Sequence, residues 1–377
     1  SVAAMVKHFP GSGPVEDGKD THFPPGNQSY KGGNFEHHLI PFEAAFDVNV
    51  ASVMPFYSIA KGITGKDVGG SYNKEIITGL LRERYNFDGI ICSDWGLVTD
   101  IKILGKLFKP ASAHGVEHLS TEERLERLIT AGGDLIGGES LSVLLSKLIY
   151  SKKIKEERID ESLRRIMREK FRLGLFDVPY LDEKGLAVFN NPESIKKGIE
   201  AQKKSLVLLK NKNNILPLDL KTKIYLHGFQ NISETKFKVT SIEKADIIIA
   251  KLKSPKGEGV EAKSLMQKLL EGGRLDYTKK QLDELIPIFK SKPTVVVVSL
   301  QRPAILTEIN NASHAMIADF DVSDDIIFEL IFGDFSPTGK LPLQLPSSME
   351  SVYEQYEDVP FDLKNALYQY GHGLTYE

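Results

Sequence analysis

The sequence predicts an α/β protein in two parts, each built on parallel strands. Short apolar strands alternate with helical patterns, and this alternation favours parallel strands joined by right-handed crossovers. Residues 177–192 separate the two parts, because they carry two prolines, mixed charge and no periodicity, which is typical of a linker. The length of 377 residues also fits about two domains.

The first part, residues 1–176, predicts strands and helices in alternation. Its predicted strands are Val2–His8, Ala51–Tyr57, Gly89–Trp95 and the short segment Asp134–Gly138. Its predicted helices are Pro41–Phe46, Asn73–Arg84, Thr121–Ala131, Ser140–Tyr150 and Glu157–Leu173. The second of these has apolar residues at amphipathic spacing. Ser120 and Glu123 have the spacing of a capping box at the start of the third helix.

The second part, residues 193–377, predicts a three-layer α/β domain with a mostly parallel sheet. A helical pattern at Pro192–Lys204 leads into it. The predicted strands are Leu206–Asn211, Lys223–His227, Ala245–Leu252, Thr294–Leu300 and Ala315–Phe320. Two further helices are predicted at Thr278–Lys290 and Ser323–Phe332.

Composition excludes several classes of function. The hydrophobic share of 41%, the charged share of 26% and the net charge of -3 are those of an ordinary globular protein. They favour neither nucleic acid nor a membrane as partner, and no apolar run reaches the ~18 residues of a membrane span. The single cysteine, Cys92, excludes a disulfide framework, and the nine histidines lack metal-ligand spacing. No metal or cofactor is therefore predicted.

One string near residue 90 indicates a sugar site. The apolar run that starts at Gly89 ends in Asp94 and Trp95, and a buried parallel strand presents such a carboxylate at its C-terminal rim. The carboxylate can attack an anomeric carbon, and the indole offers an apolar face to a pyranose ring. On the residues alone, a helix N-cap or a salt-bridged strand end explains Asp94 equally well.

Five stretches in order resemble glycoside hydrolase family 3, the exo-acting β-glucosidase group. They are residues 7–11 (Lys-His-Phe-Pro-Gly), 87–95, 205–218, 333–342 and 370–374, so the resemblance covers the whole chain. It implies the C-terminal half of a (β/α)8 TIM-type barrel over residues 1–176, followed by an α/β sandwich domain over residues 193–377.

A complete barrel needs ~250 residues, and half a barrel would leave sheet edges exposed. We therefore expect that the missing N-terminal barrel segment is supplied by a separate chain that associates with this one.

The resemblance also implies a retaining β-glycosidase that removes terminal non-reducing β-D-glucosyl residues through a covalent glycosyl-Asp intermediate. Asp94 would be the nucleophile, and Lys7 and His8 would bind hydroxyls of the sugar. Tyr57 and Trp95 are expected beside them. Taken without the resemblance, a surface lysine, a core histidine and two core aromatics would explain these four residues.

The acid/base residue has more than one candidate. The strand at Ala245 resembles the family strand that precedes the catalytic Glu, and this alignment points to Glu258, with Glu261 as runner-up. The β-N-acetylglucosaminidase branch instead uses an Asp-Ser-His string after the Lys-His motif. Asp20-Thr21-His22 is similar but lies two residues further on, so we expect His22 to be an alternative acid/base or, with Asp20, a sugar-binding residue.

His118 and Glu139, with Glu117 and Asp134, are expected at the same rim, although capping and surface charge explain them equally well. A β-linked oligosaccharide or glucoside is the predicted substrate. β-Xylosidase or β-N-acetylglucosaminidase activity and a non-catalytic carbohydrate-binding fragment remain alternatives. Self-association and the cellular compartment are left open by the sequence.

Overall fold

The structure, a computed structural model, describes residues 2–180, 183–189, 191–230, 236–256, 260 and 265–376. It divides into two compact units. The first comprises Ser1–Leu181 with Tyr356–Pro360, and the second comprises Asp182–Gln355 with Phe361–Glu377. Both units combine strands and helices, so the predicted α/β class is confirmed. No helix in the described part combines the length and apolarity that a membrane crossing requires.

The strands of the first unit are short. They are β1 (Met5–Phe9), β2 (Asn27–Gln28), β3 (Ser52–Pro55), β4 (Ile59–Ala60), β5 (Ile90–Ile91), β6 (Ile101–Ile103) and β7 (Lys106–Lys109). A parallel sheet has the order β1-β3-β5, and Leu135 pairs with Cys92 in a further parallel bridge. β2 pairs with β4, and β6 and β7 form an antiparallel hairpin that the sequence analysis did not predict. Because β1, β3 and β5 run in parallel, their C-terminal ends lie at one edge.

The helices of the first unit are α1 (Phe35–Asp47), a π-helix at Glu75–Arg84, α2 (Thr121–Ala131), α3 (Ser142–Tyr150) and α4 (Glu156–Arg172), with short 3-10 turns at Glu16–Gly18 and Gly70–Tyr72. The capping box of Ser120 and Glu123 is confirmed. The predicted helix Pro41–Phe46 was too short. Pro41 lies inside α1, where its missing N–H removes one hydrogen bond, and the burial of Leu39 and Phe42 holds the helix in place.

A buried carboxylate ties the helices of the first unit to its sheet. Asp134 accepts hydrogen bonds from the Ile91 backbone N–H at 3.0 Å and from the Ser162 hydroxyl at 2.7 Å. Its charge is balanced by three guanidinium groups, those of Arg82 (2.6 Å), Arg165 (3.0 Å) and Arg158 (3.5 Å). Asp134 was expected at the catalytic rim, but these contacts give it a structural role.

The second unit contains a six-stranded sheet. The six strands of this sheet are β8 (Val207–Asn211), β9 (Lys223–His227), β10 (Lys238–Val239), β11 (Ile247–Lys253), β12 (Thr294–Ser299) and β13 (Ala315–Asp319), and two further strands are β14 (Leu345–Pro346) and β15 (Ala366–Tyr368). The order is β10-β9-β11-β12-β13-β8, in which only β8 is antiparallel, while β14 and β15 pair separately. The predicted mostly parallel sheet is therefore observed.

The helices of the second unit are α5 (Pro192–Ser205), α6 (Leu265–Leu270), α7 (Lys279–Ser291), α8 (Thr307–Ala312), α9 (Asp324–Ile331) and α10 (Met349–Tyr353), with 3-10 turns at Glu183–Val188, Lys212–Asn214 and Ile242–Lys244. The strands are buried on both faces. Ile249 and Val297 pack with α9 on one face, and Ala250 and Val298 pack with Phe289 of α7 on the other.

A late segment of the chain, Tyr356–Pro360, belongs to the first unit. The fully buried Asp358 carboxylate accepts hydrogen bonds from the backbone N–H groups of Gly32 and Asn34, both at 2.8 Å. Its carbonyl accepts a bond from the Asn34 side chain at 2.8 Å. These contacts fix the loop that follows β2.

Candidate active site

Three neighbouring strands bring the central residues of the site together. His8 is at the end of β1, Tyr57 follows β3 and Asp94 follows β5. The Nε2 atom of His8 lies 3.3 Å from Asp94 Oδ2. The Tyr57 hydroxyl lies 2.9 Å from Asp94 Oδ1 and 2.7 Å from the Trp95 carbonyl, and the Trp95 backbone N–H donates to Asp94 Oδ1 at 2.7 Å. Asp94 Oδ1 is thus occupied by two donors, whereas among the described residues Oδ2 has a contact only with His8.

The surroundings of Asp94 keep its carboxyl ionised. Burial alone would raise its pKa, but the contacts with His8, the Trp95 N–H and Tyr57 outweigh burial and hold the pKa below its ordinary value. Burial and the adjacent Asp94 charge raise the pKa of Tyr57, so its hydroxyl stays protonated and acts as a donor. The site therefore presents a carboxylate, not a carboxylic acid, at neutral pH.

Trp95 lies against two glycines and is partly exposed. The side chain is half exposed, and the backbone of Gly137 and Gly138 lies against it. A Cβ added to Gly138 would lie 1.9 Å from the indole Cδ1, and Gly138 also has a positive φ of 69°, so only glycine fits there. The role of Trp95 as a stacking surface for a sugar remains a prediction.

Of the two residues of the Lys-His motif, only His8 has a described contact with Asp94. The Lys7–His8 peptide bond is cis, and the Lys7 side chain is exposed, whereas His8 contacts Asp94. The predicted roles of both residues in binding sugar hydroxyls remain predictions.

Asp20 and His22 form a close pair. The His22 ring Nδ1 lies 2.6 Å from Asp20 Oδ1, which also accepts the His22 backbone N–H at 2.8 Å. Burial would raise the pKa of Asp20, but the bonds from His22 lower it. The His22 ring lies 4.7 Å from that of Tyr57, so this pair lies beside the Asp94 cluster.

Sequence reasoning missed two residues that hold the Asp20–His22 pair. The Ser112 hydroxyl donates to the His22 carbonyl at 3.1 Å, and His114 Nε2 lies 2.8 Å from the Thr21 carbonyl. Burial lowers the pKa of His114, so the ring is neutral and donates through Nε2. The loop after the β6–β7 hairpin therefore orders the loop that carries His22.

Sequence reasoning also missed Lys109, the last residue of β7. Only 4% of this lysine is exposed, and its ammonium nitrogen lies 4.9 Å from the centre of the Tyr57 ring. Burial lowers its pKa, although the charges of Asp94, Asp20 and Glu139 oppose the effect. The two strands of the hairpin have only three and four residues, so their periodicity is too short to reveal them in the sequence.

The remaining predicted residues, Glu139, Glu117 and His118, have no described contact with Asp94. Glu139 accepts hydrogen bonds from the backbone N–H groups of residues 97–99 and from the Thr99 hydroxyl, so it orders the loop that follows β5 and Asp94. Glu117 and His118 are exposed, close to the start of α2. No described contact joins either of them to Asp94.

The two predicted acid/base glutamates, Glu258 and Glu261, lie outside the described residues. Within the described part, no group of three or more His, Cys, Asp or Glu side chains is arranged to hold a metal ion.

Comparison with known proteins identifies the family that this chain matches. The family model of the glycosyl hydrolase family 3 N-terminal domain matches residues 1–169, and that of the C-terminal domain matches residues 230–376. The chain is 39% identical to beta-glucosidase C of Emericella nidulans and covers 62% of that protein. It is 34% identical to the periplasmic beta-glucosidase/beta-xylosidase of Dickeya chrysanthemi and covers 60% of it. Both alignments use the whole chain, which therefore spans about 60% of the length of these curated relatives.

Solved structures agree in fold. A beta-glucosidase from Listeria innocua superposes with a TM-score of 0.74 at 22% identity, over 99% of this chain and 58% of that one. An exo-1,3/1,4-beta-glucanase from a Pseudoalteromonas species gives a TM-score of 0.72 at 22% identity, over the whole chain and 50% of the glucanase. With both domain models matched in order along one α/β chain, the protein belongs to glycosyl hydrolase family 3.

Proposed function

We propose that the protein is a retaining β-glucosidase that hydrolyses terminal non-reducing β-D-glucosyl residues through a glycosyl ester on Asp94. The observation that carries this proposal is the ionised Asp94 carboxylate, held at the ends of three parallel strands beside the half-exposed side chain of Trp95. Such a carboxylate suits attack on an anomeric carbon. The glucosidase relatives support glucose as the sugar.

The hydrogen bonds favour Oδ2 of Asp94 as the attacking oxygen, because Tyr57 and the Trp95 N–H already occupy Oδ1. In the first step Oδ2 bonds to the anomeric carbon, the glycosidic bond breaks, and the leaving oxygen takes a proton from the acid. In the second step water attacks the same carbon, gives its proton to the same residue, and the ester bond to Oδ2 breaks. Tyr57 and His8 orient the carboxylate throughout.

There are two candidate assignments for the acid/base residue. Glu258, with Glu261 as runner-up, rests on the family resemblance of the preceding strand. His22 has a specific observation in its favour, since Nδ1 faces Asp20 and leaves Nε2 as the nitrogen that can meet a leaving group. A Glu258→Gln variant that keeps its activity, while a His22→Gln variant loses it, would select the histidine.

We further propose that the first unit is the C-terminal half of a (β/α)8 barrel spanning residues 1–176 and that the second domain, residues 193–377, is an α/β sandwich. The parallel order β1-β3-β5 and the longer relatives support this architecture. A separate polypeptide that supplies the other barrel strands would complete the sheet. Intact mass measurement of the native assembly tests for this separate polypeptide, and a single monodisperse chain would contradict its presence.

The function is tested by exposing the purified protein to a 2-fluoro-β-glucosyl trapping reagent and weighing the products. An adduct that maps to Asp94 supports the proposal, and its absence despite hydrolysis of aryl glucosides contradicts the covalent route. Asp94→Ala separates the alternative of a carbohydrate-binding fragment, because a binding protein keeps its affinity and an enzyme loses turnover. Aryl xylosides and N-acetylglucosaminides, assayed in parallel, test the other sugars; the Dickeya relative gives the xyloside particular weight.

A further inference from the structure

We propose that Lys109 is a substrate-binding residue whose ammonium donates hydrogen bonds to uncharged hydroxyl groups of the sugar bound against Asp94. This inference rests on the proposed glucosidase function, since it assigns a further contact to the same site. Lys109 lies outside the five motif stretches on which the sequence resemblance rests.

Lys109 lies next to residues of the candidate active site. Its ammonium lies 4.9 Å above the Tyr57 ring, and the hydroxyl of that tyrosine is 2.9 Å from Asp94. The His22 ring lies 4.7 Å from the same tyrosine. Lys109 therefore contacts the same tyrosine as the proposed nucleophile and the Asp20–His22 pair, and the charges of Asp94 and Asp20 both act on its ammonium.

The N–H donors of the Lys109 ammonium lack hydrogen-bond acceptors among the described residues. A lysine carries three N–H donors and no acceptor, and a buried ammonium without acceptors is costly. Contact with the Tyr57 face does not replace those hydrogen bonds. Among the described residues, no carboxylate lies within ion-pair distance of Lys109 and no acceptor bonds to its ammonium. Hydroxyl oxygens of a substrate, or the water they displace, are the natural partners.

The local charge selects an uncharged ligand. Three carboxylates, those of Asp94, Asp20 and Glu139, act on this single ammonium. An anionic substituent such as a uronate or a phosphate would meet more negative than positive charge. Sugar hydroxyls avoid this repulsion and still accept from the lysine, so Lys109 fits a neutral hexose.

The test compares Lys109→Met with Lys102→Met in the native assembly. Methionine keeps the apolar stem and removes the charge, and Lys102 is an exposed lysine on the same hairpin. With para-nitrophenyl β-D-glucopyranoside, Lys109→Met should lower kcat/KM by about 10- to 100-fold, the loss typical of a charge-assisted hydrogen bond. Lys102→Met should stay within about twofold, because exposed surface changes have small effects.

Monodeoxy glucosides distinguish contact from indirect structural damage. With the analogue that lacks the hydroxyl bound by Lys109, wild type and Lys109→Met should differ by only about twofold, because the contact is already gone. An equal loss with the parent glucoside and with every monodeoxy analogue would overturn the proposal.

Glucose affinity, measured by calorimetry, separates this proposal from the proposed function. If the wild type has no turnover but Lys109→Met binds glucose more weakly than wild type, only the proposed function fails. Equal glucose affinity in the two proteins overturns the role of Lys109, and a wild type that neither binds nor cleaves overturns both.

Discussion

Replacing Tyr57 by phenylalanine tests how the site keeps Asp94 ionised. The substitution keeps the aromatic ring beneath Lys109 and next to His22, and removes only the hydroxyl that lies 2.9 Å from Asp94 Oδ1. The carboxylate then keeps the Trp95 N–H and the contact with His8. The change therefore removes one of three groups that stabilise the charged form.

The magnitude follows from the strength of such a bond. A hydrogen bond to a charged group contributes about 1.5–3 kcal/mol, and about 1.4 kcal/mol corresponds to a tenfold change in proton affinity. Because the Tyr57 hydroxyl is shared with the Trp95 carbonyl at 2.7 Å, we expect the lower end of this range. Loss of the donor destabilises the anion, so the pKa of Asp94 rises and its proton affinity increases roughly tenfold.

The assay is the pH profile of kcat/KM for an aryl glucoside. Attack requires ionised Asp94, so the acidic limb should move to higher pH in Tyr57→Phe, while the loss of activity on the plateau should be smaller. Tyr72→Phe is the matched control, because the buried Tyr72 hydroxyl donates to the Leu97 carbonyl at 2.7 Å and has no described contact with Asp94. Coincident acidic limbs in the two variants would refute this account of Asp94.

Two further predictions concern stability and the aromatic surface. Asp134→Asn should lower the free energy of unfolding by about 3–5 kcal/mol, since it leaves buried guanidinium charge uncompensated; in denaturant titrations Asp160→Asn, which removes a half-exposed ion pair, should cost about 0–1 kcal/mol. A similar cost for both would contradict the role of Asp134. Gly138→Ala should displace the indole of Trp95, change the fluorescence of this sole tryptophan and raise KM, whereas Gly174→Ala, at the same φ of 69° but with no atom within 4 Å of the added Cβ, should do neither. Unchanged emission in Gly138→Ala would show that the indole is not held by that glycine.

The parts of the site that could be predicted share a local or periodic signal. Tyr57 and Asp94 each follow an apolar strand, so a parallel sheet brings them to one edge. The capping box of Ser120 and Glu123 needs only residues within one turn and was predicted correctly.

The parts that could not be predicted depend on distant contacts. Lys109 meets Tyr57 through a hairpin whose strands have only three and four residues, too short for a periodic pattern to identify them. His114 holds the Thr21 carbonyl from a loop far along the chain, and nothing near either residue indicates that pairing. The predicted helix began at Pro41, whereas α1 begins at Phe35 and contains Pro41 between the buried Leu39 and Phe42, a tertiary contact that the local sequence does not reveal.

The bonds between Asp358 and the loop at Gly32 and Asn34 have a consequence for the order of synthesis. A ribosome releases the loop early, but the carboxylate that receives its N–H groups is made 326 residues after Gly32. Until then these amides have only water as a partner, and so distant a contact forms slowly. The nascent first unit should therefore reach its final form only after most of the second unit has been synthesised, and the Gly32 and Asn34 amides should be among the last to gain protection from hydrogen exchange.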